Sequence, residues 1–276
     1  MEQVLKTMLE NVRAKSPLVH NITNYVTVND VANVLLAAGG SPIMSDDADD
    51  VEDITSICGG LNINIGTLNK NTIPSMFLAG KKANALGHIV LLDPVGAGAS
   101  RLRTDTANRL MQEVRFDAVR GNISEIKTLC TGSGSTKGVD ADAVDAVTEA
   151  NLDDGVQLVK AFAQKTGCIV AVTGAIDLVS DGERCWCIRN GRAEMSRITG
   201  TGCQLSALMT ALLVANPDRK LDAAAAAVCM MGLAGEIGWA NMQPGDGNST
   251  YRNRIIDAIF NMTGDALEEG AKYELR

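Results

Sequence analysis

Short apolar runs rich in β-branched residues recur at 41–44, 61–65, 88–92 and 168–172, and each runs into a polar or glycine-bearing turn. Such runs are too short for amphipathic helices and fit strands buried on both faces. Between them lie segments with helical spacing at 30–38, 50–58, 72–86, 104–114 and 155–165. Strands that alternate with helices need crossover connections, so the pattern predicts an α/β fold with a largely parallel sheet covered on both faces. Residues 177–180 and 184–189, joined by Asp181-Gly182-Glu183, read as an antiparallel hairpin at one end of that sheet. The C-terminal third reads as helices at 202–214, 222–241 and 249–272. With no linker or repeat in view, residues 1–276 are expected to form one domain.

Bulk properties narrow the function classes. The formal charge of −8, from 25 basic and 33 acidic residues, disfavours a nucleic-acid partner. A small anionic ligand stays open, because local dipoles or a metal ion override net charge. Seven cysteines without a CxxC pair, beside two histidines, argue against a zinc site. The odd cysteine count and the absence of a signal pattern at Met1-Glu2-Gln3 point to a reducing cytoplasm. No apolar run reaches the roughly 18 to 20 residues of a membrane helix. The alanine-rich stretch 221–231 reads as a packed core helix, so no membrane partner is expected.

In an open parallel sheet, ligands sit beyond the carboxyl ends of the strands. Polar clusters fall there at Ser45-Asp46-Asp47, Asp93-Pro94-Val95-Gly96 and Thr173-Gly174. The most informative segment is Thr199-Gly200-Thr201-Gly202-Cys203, ahead of a long apolar helix. Amides at a helix start attract anions, and glycines let a phosphate approach the main chain. Cys203 falls in the first turn, where the dipole is expected to lower a thiol pKa. A tight loop with a buried cysteine is the structural alternative. No Gly-Lys-Ser/Thr follows, so this is not a Walker A loop.

In Arg120-Gly121-Asn122-Ile123-Ser124-Glu125, the spacing of Asn122 and Glu125 suits either organisation of a hydrated magnesium ion or a helix capping box. Arg120 suits a phosphate clamp or a surface salt bridge. Asp93 either faces metal and phosphates or opens an ordinary Asp-Pro turn. Thr173 either touches a nucleotide phosphate or ends a strand. His20-Asn21-Ile22-Thr23-Asn24-Tyr25 packs polar side chains between apolar ones, as a heterocycle pocket or a self-satisfied turn would. A cysteine-nucleophile enzyme built on Cys203 is a rival class, and it would need His20 or His88 as its base.

Taken together, residues 17–47 (PLVHNITNYVTVNDVANVLLAAGGSPIMSDD), 61–69 (LNINIGTLN), 92–100 (LDPVGAGAS), 120–126 (RGNISEI) and 199–203 (TGTGC) resemble the hydroxyethylthiazole kinase family. The resemblance runs in order through nearly the whole chain. It implies a three-layer α/β/α ribokinase-like fold and a homotrimer with active sites between subunits. It also implies phosphorylation of 4-methyl-5-(2-hydroxyethyl)thiazole by ATP with Mg2+ in thiamine salvage. By the same resemblance, Arg120 and Thr173 match ATP-binding positions, and Met44 and Gly200 match thiazole-binding positions with Asn24 in the adjoining wall. Asp93 and Glu125 match acidic positions near magnesium. The amides of Gly200, Thr201, Gly202 and Cys203 form the expected anion hole, and Cys203 stands where most ribokinase-like enzymes carry an aspartate base.

Overall fold

The computed structural model describes residues 3–132 and 146–276. Its strands are β1 Leu18–Ile22, β2 Ser41–Met44, β3 Gly60–Asn64, β4 Ile89–Asp93, β5 Ala118–Asn122, β6 Ile169–Thr173, β7 Asp177–Ser180, β8 Cys185–Ile188 and β9 Tyr273–Leu275. They form one nine-stranded sheet in the order β2-β1-β3-β4-β5-β6-β7-β8-β9. Neighbours from β2 to β6 pair in parallel, and those from β6 to β9 pair antiparallel.

The helices are α1 Val4–Lys15, α2 Val28–Ala38, α3 Val51–Ile57, α4 Thr72–Leu86, α5 Arg101–Glu113, α6 Ile123–Thr131, α7 Leu152–Thr166, α8 Thr201–Ala215, α9 Lys220–Ala240, α10 Asn248–Asn261 and α11 Gly264–Gly270. Side chains alternate across a strand, so each strand feeds two cores. Leu91, Ala118, Ile169 and Ala171 join apolar residues of α1, α8, α9 and α10 in one core. Val90, Leu92, Val119, Val170 and Val172 join those of α4, α5, α6 and α7 in the other. The result is the three-layer α/β/α arrangement expected from the strand–helix alternation.

Several boundaries differ from the sequence reading. The stretch 249–272 is not one helix: α10 stops at Asn261, and the Thr263 hydroxyl, 3.1 Å from the Ala266 amide, caps α11. The chain then adds β9 outside β8, so the hairpin is not the sheet edge. The alanine-rich stretch belongs to a 21-residue helix, α9, which by length and composition is long enough to cross a bilayer. It is nonetheless a core helix, because 78% of its most apolar window is buried.

Register fixes the site. Asn64 lies opposite Asp93 at the ends of β3 and β4, and Asn122 lies opposite Thr173 at the ends of β5 and β6. Met44 closes β2 opposite Asn21. The predicted ligand-facing residues therefore line the carboxyl edge of the parallel sheet.

Candidate active site

Gly200 caps the start of α8 with φ +84°, a left-handed conformation that glycine adopts without strain. A Cβ there would lie 2.2 Å from Thr27 Cγ2, so only glycine lets α8 meet the Thr27 side chain. Among the described residues, no side chain caps this helix start. The amides of Thr201, Gly202 and Cys203 belong to the first turn, which has no intrahelical acceptor for them. A Cβ on Gly202 would lie 2.4 Å from Arg120 Nη1, so the guanidinium packs directly on this turn. A fixed cation and a positive helix end thus converge on one spot.

Asp93 balances them. Its side chain is fully buried, with Oδ2 accepting from Asn64 Nδ2 at 2.7 Å and from Ser206 Oγ at 2.8 Å. Oδ1 stands 3.6 Å from Arg120 Nη1 and has no hydrogen-bond partner among the described residues. Burial holds this carboxyl above its ordinary pKa, opposed by Arg120 and by the Ser206 and Asn64 hydrogen bonds. Arg120 Nη2 also donates to Thr173 Oγ1, linking the ends of β5 and β6.

Asn122 and Glu125 form the capping box that their spacing allowed. Asn122 Oδ1 accepts from the Glu125 amide at 2.9 Å, and Glu125 Oε2 accepts from the Asn122 amide at 2.7 Å. Glu125 also reaches the Asp93 loop, where Oε1 accepts from the Gly96 amide at 2.8 Å. Burial first, then the Asp93 charge, pushes this carboxyl up to about 7.

Backbone amides orient the polar relay beside Cys203. Asn24 Oδ1 faces the Thr27 amide at 3.2 Å and the Thr27 hydroxyl at 3.0 Å. An amide N–H can only donate, so Asn24 turns its Nδ2 the other way, to Asn64 Oδ1 and to Cys203 Sγ, each at 3.1 Å. The Gly66 amide, 2.9 Å from Asn64 Oδ1, fixes the second side chain with its Nδ2 toward Asp93. Cys203 sulfur is therefore an acceptor from Asn24. It packs with Val31, Leu35 and Ala207, and Met44 lies against the same apolar cluster.

The expectation of a lowered Cys203 pKa is overturned. Burial, followed by the Asp93 charge, holds this thiol above its ordinary range, and Arg120, Asn64 and Asn24 only partly offset that. Loss of solvent is the largest cause. The Cys–His rival also loses its base. His20 Nδ1 and Nε2 are taken by Thr55 Oγ1 and the Ser45 carbonyl, each at 2.9 Å. His88 sits at the opposite end of the strand that closes on Asp93.

The sequence profile of the hydroxyethylthiazole kinase family matches residues 9–265. The chain belongs to the hydroxyethylthiazole kinase family. It is 58% identical over 271 residues to the hydroxyethylthiazole kinase of Clostridium acetobutylicum, covering 98% of this chain and 99% of that protein. Identity to the hydroxyethylthiazole kinase of Ruminiclostridium cellulolyticum is 48% over 265 residues, with 96% and 95% covered. The solved hydroxyethylthiazole kinase protein from Pyrococcus horikoshii OT3 superposes with a TM-score of 0.87 at 32% identity, over 99% of this chain and 98% of that one. A Staphylococcus aureus pyridoxal kinase in complex with AMP-PCP and pyridoxal shares the fold alone, at TM-score 0.62 and 14% identity, with 94% and 98% covered.

Two residues of this kinase site escaped the sequence reading. Asn64 and Ser206 make both hydrogen bonds to Asp93 Oδ2. The signal was a polar residue in an otherwise apolar strand, and a serine one turn beyond Cys203. Glu125 also carries a pH prediction. Its raised pKa means that the ionised form accumulates only as pH rises through about 7. If the ionised form is required, kcat/KM for ATP falls below that pH, and the limb disappears in Glu125→Gln. A wild-type profile flat from pH 5.5 to 8 would contradict it.

Proposed function

We propose that this kinase transfers the γ-phosphoryl group of ATP to the hydroxyl of 4-methyl-5-(2-hydroxyethyl)thiazole, in thiamine salvage. The observation that carries the reading is the convergence of the Arg120 guanidinium with the α8 amides, beside a small apolar cluster holding Cys203 and Met44. The first pair suits an anionic phosphoryl group, and the second suits a small heterocycle.

Arg120 and Thr173 hold the ATP phosphates, with the amides of Thr201, Gly202 and Cys203 on the transferred oxygens. Gly200, Met44 and Asn24 wall the thiazole. Mg2+ fits Asp93 Oδ1, which accepts no hydrogen bond among the described residues, with Glu125 nearby, because this ion keeps several waters and takes one or two carboxylates plus phosphates. When bound, it would neutralise charge on the triphosphate. Cys203 orients the alcohol. It takes the alcohol proton once ionised, a modest demand since a loose transition state needs little base catalysis.

Residues 1–276 are read as one domain, supported by the single sheet. A homotrimer with sites between subunits is supported by Tyr25 and Val26, which stand 76% and 58% exposed right after Asn24. Seven free cysteines suit a cytoplasmic setting.

The test is steady-state kinetics with a panel of alcohols and ATP, run with Cys203→Ser and Cys203→Asp. Thiazole alcohol should be the preferred substrate. Wild-type kcat should rise with pH above the ordinary thiol range, because burial raises the group whose deprotonated form is the base. Cys203→Ser should lose about 10²-fold in kcat, and Cys203→Asp should move the rise to lower pH. If thiazole alcohol is the poorest substrate, the specificity fails. If both variants keep wild-type kcat and pH profile, the base role fails.

A further inference from the structure

His20 is buried on β1 and, among the described residues, hydrogen-bonds to neither Cys203 nor Asp93. Its tautomer is set by its partners. The Ser45 carbonyl, 2.9 Å from Nε2, can only accept, so Nε2 carries the proton. Nδ1 then accepts from the Thr55 hydroxyl at 2.9 Å. Both ring nitrogens are satisfied in the neutral form, and burial favours that form by lowering the pKa.

The placement of Ser45 gives this bond a consequence. It follows Met44, the last residue of β2, and β2 is an edge strand whose only sheet neighbour among the described residues is β1. The ladder to β1 ends at Met44, and beyond it the chain enters the acidic turn in which Ser45 Oγ donates to Asp50 Oδ2 at 2.5 Å. The His20 bond ties the start of that turn to the sheet interior. Met44 itself is half-buried and lies against the cluster containing Cys203.

We propose that His20 is a positioning residue for the alcohol substrate: its Nε2–H holds the Ser45 carbonyl and so sets where Met44 stands against Cys203. The proposal rests on Met44 as a wall of the thiazole pocket. Arg120 and Thr173 lie on β5 and β6, across the sheet from β2, so the ATP side is untouched by this bond.

The experiment measures KM for the alcohol and for ATP separately in His20→Asn, His20→Gln, Thr55→Val and Met44→Ala. Glutamine can place an N–H near the Nε2 position and keep the Ser45 bond. Asparagine can place an oxygen near Nδ1 and keep only the Thr55 bond. His20→Asn should raise KM for the alcohol about tenfold, the size of one lost hydrogen bond, and leave KM for ATP within about twofold. His20→Gln should restore the alcohol KM to within about threefold of wild type. Equal rises in the two variants, or an equal rise for ATP, would overturn the proposal. Thr55→Val guards against misfolding of the histidine variants. It keeps the Ser45 bond and should lower Tm without moving the alcohol KM, and a tenfold rise there would also overturn it. An unchanged alcohol KM in Met44→Ala removes the pocket reading and the proposal together. A raised KM in Met44→Ala with none in His20→Asn removes the His20 role alone.

Discussion

Asp93→Asn should lower kcat by roughly 10²–10³-fold, the range seen when one electrostatic contributor to a transition state is removed. Stability should fall by about 1–3 kcal/mol, because Arg120, 11% exposed and still bonded to Thr173, loses its counter-charge. The carboxyl is fully buried and held above its ordinary pKa by that burial, so its charge is maintained at a cost to the fold. Asparagine can keep an oxygen toward Asn64 Nδ2 and Ser206 Oγ, which preserves the interior contacts. What it loses is the negative charge at Oδ1, the buried oxygen that faces Arg120 without a hydrogen bond. The check is kcat together with thermal unfolding. Activity within tenfold of wild type would mean that the carboxylate is not coupled to the transferred phosphoryl group. A collapse in Tm would mark Asp93 as structural.

Arg120→Met should lower kcat to a similar extent and should destabilise the fold more than Asp93→Asn does. Its side chain is 11% exposed and its ion-pair partner is 0% exposed, so its removal strands a buried carboxylate. Such losses cost about 3 kcal/mol or more when the remaining charge is kept. The cost depends on pH, with a definite sign. Asp93 already has a folded pKa above its unfolded value, and loss of Arg120 raises it further. A group shifted upward loses stability as pH rises from its unfolded pKa through its folded one. The deficit should therefore be largest at alkaline pH and shrink as the pH falls and Asp93 takes up a proton. Adding Asp93→Asn to Arg120→Met should recover the stability at pH 8 while activity stays lost. A pH-independent deficit, or no recovery in the double variant, would contradict the buried pair.

The strands easiest to see in the sequence are those with no side chain committed to chemistry. β4 and β6 are nearly continuous apolar runs because helices cover both of their faces. β5 was missed because Arg120, Gly121 and Asn122 interrupt its apolar pattern, and those interruptions are the site itself. β1 was read as a pocket segment for the same reason: His20 and Asn21 are polar yet buried. Cys203, Asp93 and Arg120 stood out by residue type beside glycine-rich turns. Asn64 and Ser206 did not, since an asparagine or serine acquires a role only once the register places it against a carboxylate. The thiol pKa was misjudged because a helix start is visible in sequence, whereas the burial that raises the thiol is a product of packing.

The most direct measurement is a crystal structure with the thiazole alcohol and a nonhydrolysable ATP analogue bound together. The alcohol oxygen should lie within hydrogen-bond reach of Cys203 Sγ, roughly 3 Å, with the terminal phosphoryl group on the amides of Thr201, Gly202 and Cys203 beside Arg120. An alcohol directed away from Cys203, or a terminal phosphoryl group bound away from the start of α8, would contradict the convergence of phosphate and alcohol at this helix.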